Sequence, residues 1–226
     1  MSSRKAAYVV LIAAALAAST AHAQFGVPWR QTPAVTVIAA EGDHRLILVD
    51  EAVAFWNKTL EDLGSGFRLG PVTHLVHPIP EEALQALSRS IVEGPRPVNV
   101  PQALRDLPGD LTVLLGESAL VSFTGPFHAP GKRVVGIRNG NLLPMSLPNV
   151  ARNVIAHELG HAIGLGHNSD PARLMCGRPA SCRPDTFRSV VPRMFPLTDD
   201  ERRELLRMYP SDWKPRSAIG GARAAA

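Results

Sequence analysis

His157-Glu158-Leu159-Gly160-His161-Ala162-Ile163-Gly164-Leu165-Gly166-His167 reads H-E-x-x-H-x-x-G-x-x-H. On an α-helix, residues four apart share one face, so His157 and His161 offer two imidazoles to one ion. Glu158 projects about 100° round the helix, toward a neighbouring side of that ion. Gly164 and Gly166 free the chain to leave the helix and turn sharply, which brings His167 back to face the pair. Three neutral imidazoles leave one position of a tetrahedral zinc open, the pattern of a catalytic rather than a structural site. The ion lowers the pKa of a water there to roughly 7, and a neighbouring carboxylate is placed to take its proton as it attacks a carbonyl. A bare H-E-x-x-H arises by chance in many proteins. Gly164 and His167 at these offsets make the pattern specific.

The eleven residues match the metzincin signature, and the chain resembles that family of zinc proteases. Met175 stands eight residues past His167, in Ser169-Asp170-Pro171-Ala172-Arg173-Leu174-Met175. A Ser-Asp-Pro followed by Leu-Met is similar to the matrixin branch. The resemblance implies one catalytic Zn2+ on His157, His161 and His167, with Glu158 as general base and acid and Met175 as the floor beneath the metal. It implies an α+β, sandwich-like catalytic domain over residues 34–210. That domain would have a twisted, mostly parallel sheet with one antiparallel edge strand, an active-site helix beneath the cleft and a closing C-terminal helix. It further implies a polypeptide substrate and a monomer. The pattern departs from matrixins at Cys176, where that branch usually has tyrosine. The His-x-Asp ligand run and acidic calcium loops of matrixins have no counterpart either, so neither calcium nor a structural zinc at His74, His77 and His128 is expected.

Length and charge set the frame. The 226 residues suffice for one domain with a proper core. The formal charge of +4 falls to about +2 once Arg4 and Lys5 are discounted as part of a leader. That is too little to argue for nucleic acid, and no basic run interleaves with the sparse aromatics. Arg4 and Lys5 form a positive n-region, Ala7 to Ala18 an apolar core, and Ala21-His22-Ala23 an A-x-A cleavage site. The apolar run falls short of the ~20 residues a spanning helix needs. Residues 1–23 therefore read as a signal peptide cut after Ala23, and the mature chain as secreted or periplasmic with no membrane insertion.

Export changes how the cysteines read. Cys176 and Cys182 are six positions apart, and an oxidising compartment favours a disulfide between them; a free thiol near the zinc is the alternative. No cysteine precedes position 176, so the matrixin pro-segment motif Pro-Arg-Cys-Gly is missing and latency by an N-terminal cysteine is not expected.

Residues 24–33 read as a short linker. Ala34 to Ala40 is β-branched and reads as a strand. Arg45 to Leu63 carries apolar residues at helical spacing and is stopped by Gly64, with Trp56 in the core. Phe67 to Val76 reads as a strand broken by Pro71, Pro80 to Glu93 as a helix, and Pro95 to Pro108 as a surface connection. Asp110 to Leu115, Ala119 to Thr124 and Arg133 to Ile137 read as strands, with a Gly/Pro-rich bend at 125–131. By resemblance, Ala119, Leu120, Val121, Ser122 and Phe123 form the edge strand that pairs with substrate. Pro148 opens the active-site helix. Residues 177–196 form an aperiodic loop that, by resemblance, walls the substrate pocket. Thr198 to Glu201 cap a last helix through Met208. Residues 211–226 read as a disordered tail.

The leading expectation is an exported zinc endopeptidase. Two alternatives remain open at this stage: a non-catalytic zinc-binding interaction module on the same fold, and an exported amidase acting on cell-wall peptide. Glu158 argues against the first, since binding alone requires no carboxylate there.

Overall fold

A computed structural model describes residues 27–93, 98–127, 131–177, 182, 189 and 191–216. The expected signal peptide lies outside them.

Among the described residues, five strands form one sheet in the order β2-β1-β3-β5-β4. β1 (Val35–Ala39), β2 (Val72–Val76), β3 (Leu111–Leu115) and β5 (Arg133–Ile137) run parallel, and β4 (Phe123–Pro126) is the antiparallel edge. The mixed α/β fold with a mostly parallel sheet agrees with the expectation. β1 and β3 are buried throughout, as parallel strands covered on both faces must be, whereas edge strand β2 is half exposed.

Side-chain alternation sends Val35, Val37, Leu111, Val113, Val135 and Ile137 to one face. There they meet α1 (Leu46–Asp62), α4 (Pro148–Ala162) and α5 (Asp199–Met208) in the main core. Ile38, Leu114, Phe123 and Val134 point the other way. They are covered by Leu84 and Leu87 of α2 (Glu81–Val92) and by Leu104 of the short α3 (Gln102–Arg105). The connection expected to lie on the surface thus puts Leu104 and Val100 into a second core, while residues 94–97 lie outside the description.

Buried polar groups fix the ends of the sheet. Arg45 opens α1 and uses all three guanidinium nitrogens. Nη1 donates to Gly116 O (3.0 Å) and Arg138 O (2.6 Å), Nη2 to Leu115 O (3.0 Å) and Asp43 Oδ2 (2.5 Å), and Nε to Asp43 Oδ1 (2.9 Å). One planar, always-charged side chain thereby satisfies carbonyls at the C-terminal ends of β3 and β5.

Both ends of the described chain are docked. The expected linker carries buried Trp29, whose Nε1 donates to Ala162 O (2.8 Å) at the end of α4. Arg133 lies over the Trp29 ring and donates to Ala162 O and Val27 O. Tyr209 Oη accepts from Trp29 N (3.1 Å) and donates to Ile163 O (2.8 Å). Where a disordered tail was expected, Trp213 sets its ring edge-on to Phe67, at 4.9 Å between centroids, and residues to Arg216 stay on the body. Residues 217–226 lie outside the description.

The edge strand requires a correction. The segment expected from Ala119 to Thr124 enters the sheet only at Phe123 and runs on through Gly125 and Pro126, which were expected to bend. Residues 118–121 are drawn to α2 instead: Ser88 Oγ donates to Val121 O (2.9 Å), Gln85 Nε2 to Ser118 Oγ (2.8 Å), and Leu120 is buried. Proline is tolerated in β4 because an edge strand has one unpaired side.

Candidate metal centre

The three histidines converge. Nε2 of His167 lies 3.2 Å from Nε2 of His157 and 2.9 Å from Nε2 of His161. Among the described residues this is the one cluster of three or more His, Cys, Asp or Glu side chains able to hold a metal ion. His157 and His161 stand one turn apart on α4. After Ala162, Gly164 takes φ +112°, a backbone conformation costly to any side chain, and the chain leaves the helix to bring His167 back.

Main-chain carbonyls steer two of the rings. His157 Nδ1 is 2.8 Å from Leu174 O, and His161 Nδ1 is 2.8 Å from Leu165 O. A carbonyl oxygen only accepts, so each Nδ1 carries the proton and each Nε2 keeps its lone pair for a metal. Burial, with His157 beside it, holds the His161 imidazole well below its ordinary pKa, and burial lowers that of His167. Both are therefore neutral near pH 7, the state that ligation requires.

The donor set fits zinc. Nitrogens at about 2 Å from a tetrahedral ion stand roughly 3.3 Å apart, close to the 3.2 and 2.9 Å that separate His167 Nε2 from its two neighbours. The lone pairs of His157 and His161 both aim at the third Nε2, an arrangement that a cation between them relieves.

Packing beneath the rings is close. Met175 is fully buried, and a Cβ on Gly160 would come 2.5 Å from its Sδ and 2.8 Å from Trp56 Cζ2. Glycine at this point of α4 is what lets Met175 and Trp56 meet under the histidines. Trp56 Nε1 also donates to Ala156 O (2.9 Å), immediately before His157. The segment with Met175 folds back on the third histidine: Asn168 N donates to Met175 O (2.9 Å) and Gly177 N to Asn168 O (3.0 Å). A Cβ on Gly177 would collide with the His167 ring. Cys176 and Cys182 form a disulfide around this point, so the free-thiol alternative does not hold.

Glu158 is buried next to the first ligand. Its Oε2 is 2.9 Å from Thr124 Oγ1, which also lies 2.7 Å from Glu158 O. Burial pushes the carboxyl up to about 7, and the Thr124 hydroxyl draws it partly back. Of the residues expected to border the cleft, Phe123 alone lies in β4, with its side chain buried on the α2 face; Ala119, Leu120, Val121 and Ser122 precede the strand.

Sequence reasoning missed three groups of site residues. The carbonyls of Leu165 and Leu174 carry no side-chain signal. Thr124 reads as an ordinary strand residue. Asn149 and Asn153, on α4, hold the following loop: Asn149 Nδ2 donates to Ser189 O (2.7 Å) and Val191 O (2.8 Å), while Asn153 Nδ2 donates to Arg193 O (2.9 Å) and Oδ1 accepts from Phe195 N (2.8 Å). Asn153 inside the helix, where asparagine is a poor former, was the available hint. Asn168 ties His167 to α5 through Glu201 (2.5 Å), whose carboxylate also completes the capping box with Thr198.

No family model matches the chain, and no curated protein matches it. Among solved structures it is similar to archaemetzincin from Methanopyrus kandleri, with 18% identity and a TM-score of 0.47, over 77% of this chain and 94% of that one. A likeness of that size assigns no family, and the chemistry of the site rests on its own geometry.

Proposed function

We propose that the chain is an exported zinc-dependent endopeptidase of the metzincin kind, with the matrixin-like features of its Ser-Asp-Pro and Leu-Met run. The observation that carries this is the convergence of three Nε2 atoms, two of them fixed as lone-pair donors by main-chain carbonyls, beside a buried carboxyl. A merely structural zinc site is closed by four protein ligands. Here three ligands stand with a carboxyl that ligation does not need.

His157, His161 and His167 would hold the ion. When bound, zinc supplies a Lewis acid that lowers the pKa of water and polarises a carbonyl oxygen. Glu158 takes a proton from the attacking water and delivers it to the leaving amine. β4 offers an extended substrate chain a sheet edge to pair with, so the edge role falls to Phe123–Pro126 rather than to Ala119–Ser122. The expected signal peptide and the Cys176–Cys182 disulfide both suit an oxidising, extracytoplasmic compartment. No helix among the described residues is long and apolar enough to cross a membrane.

The test uses residues 24–226. Zinc content is measured, and cleavage of a denatured protein mixture and of peptidoglycan stem peptides is followed with and without Glu158→Ala. One zinc per chain in both forms, with protein cleavage lost in the variant, is expected. Retained zinc with no cleavage by either form would sink the endopeptidase reading, and cleavage of stem peptides alone would replace it with an amidase.

A further inference from the structure

In β4, Thr124 stands opposite Val135 and Pro126 opposite Arg133. Phe127 N donates to Lys132 O at 3.0 Å where the hairpin begins to close, and Arg133 N donates away from β4, to Asp110 O at 2.9 Å. Bonded and non-bonded pairs alternate in an antiparallel ladder. Gly125 and Phe123 therefore turn their main-chain groups toward β5, and Thr124 and Pro126 turn theirs toward the free edge. Proline has no N–H. Thr124 is thus the one residue of β4 that presents both a donor and an acceptor to a chain lying along that edge.

The side chain of the same residue reaches the other way. Phe123 belongs to the core under α2, and a Cβ on Gly125 would meet Ile91 of α2, so alternation puts Thr124 on the α4 face. There Oγ1 lies 2.9 Å from Glu158 Oε2 and 2.7 Å from Glu158 O. Among the described residues this is the hydrogen bond found for the Glu158 carboxyl. A β-branched residue in a strand is stiff at χ1, so fixing the main chain of Thr124 fixes its hydroxyl.

We infer that Thr124 is a positioning residue that couples docking of an extended chain on β4 to the orientation of the Glu158 carboxyl. The inference rests on the endopeptidase reading above and adds to it how substrate pairing and the base are linked. A glutamate has three rotatable bonds, and a proton acceptor must stand within hydrogen-bond reach of its proton. The Thr124 hydroxyl holds Oε2 and so narrows the orientations open to the carboxyl. A chain paired with Thr124 N–H and C=O tightens the strand that carries that hydroxyl.

The test compares Thr124→Val, Thr124→Ser and Thr124→Ala in zinc-loaded mature protein, with labelled casein as substrate. Valine keeps the shape and loses the hydroxyl; serine does the reverse. Thr124→Val and Thr124→Ala should lower kcat about tenfold or more with KM little changed, and Thr124→Ser should stay within about threefold of the wild type. Zinc content should be equal in all. In metal-free protein labelled with 13C at the glutamate carboxyls, the resonance that disappears in Glu158→Gln should move in Thr124→Val and stay in Thr124→Ser. Full kcat in Thr124→Val, or an equal fall in Thr124→Ser, would overturn the inference while leaving the endopeptidase reading intact. Wild-type protein as inactive as Glu158→Gln would overturn that reading and the inference with it. Should Thr124→Val not fold, Thr124→Ala decides on the same terms.

Discussion

His157 Nδ1 lies 2.8 Å from the carbonyl oxygen of Leu174, the residue before Met175, so the first histidine of the helix is steered by the segment that passes beneath it. The same logic orients His161 on Leu165 O. In the metal-free protein, 15N spectra should therefore show both imidazoles with the proton on Nδ1. Alanine in place of His157, His161 or His167 should each remove stoichiometric zinc, read by metal analysis after dialysis. Zinc retained at full occupancy by two of the three variants would rule out a three-histidine site.

Glu158 should release a proton when the metal binds. Burial pushes its carboxyl up to about 7, so it is about half protonated at neutral pH. A dication nearby favours the carboxylate. His161 and His167 are already neutral there and have few protons to give. Calorimetry of zinc binding at pH 7 in buffers of different ionisation enthalpy should show the wild type releasing up to about half a proton more than Glu158→Gln.

The same carboxyl makes the stability of the metal-free protein depend on pH. Its folded pKa of about 7 stands above the ordinary 4.5, so the folded state binds the extra proton between those values. The favourable contribution of the protonated form is complete below 4.5 and lost as pH rises through 7. Glu158→Gln keeps a neutral group at every pH, so its Tm should match the wild type near pH 4.5 and exceed it increasingly up to pH 7.

Gly160→Ala places a methyl group 2.5 Å from Met175 Sδ and 2.8 Å from Trp56. Both neighbours are fully buried and cannot withdraw without moving the floor of the site. Overpacking of this kind costs about 1–3 kcal/mol. Chemical denaturation should show that loss, and zinc affinity should fall with it. A change within experimental error of zero would mean that Met175 is free to repack.

Asn153→Ala removes the partner of Arg193 O and Phe195 N. The buried Phe195 N–H, left unpaired, costs about 1–3 kcal/mol. The loop after the disulfide should loosen before the domain unfolds, so limited trypsin digestion of the native variant should cut at Arg193 faster than in the wild type. Equal cutting would show that Asn153 does not hold the loop.

The sequence by itself determined which three histidines converge, because helical spacing puts His157 and His161 on one face and Gly164, at φ +112°, lets the chain turn toward His167. It also marked most of the strands, as β-branched or continuous apolar runs, and the main helices, whose apolar residues repeat at a period of 3.6. These are local properties, written within a few residues of each other. Tertiary structure alone decided the rest. Whether Ala119–Ser122 or Thr124–Pro126 joined β5 depended on a competitor distant in sequence, α2, which takes the Val121 carbonyl through Ser88. Trp213 kept the chain on the body past residue 210 by meeting Phe67, far upstream. The tautomers of His157 and His161 depended on carbonyls that every residue type possesses, and the hold on Glu158 on a threonine 34 positions away. Pairings of that kind arise from which surfaces meet once the sheet and helices pack, and no pattern along the chain encodes them.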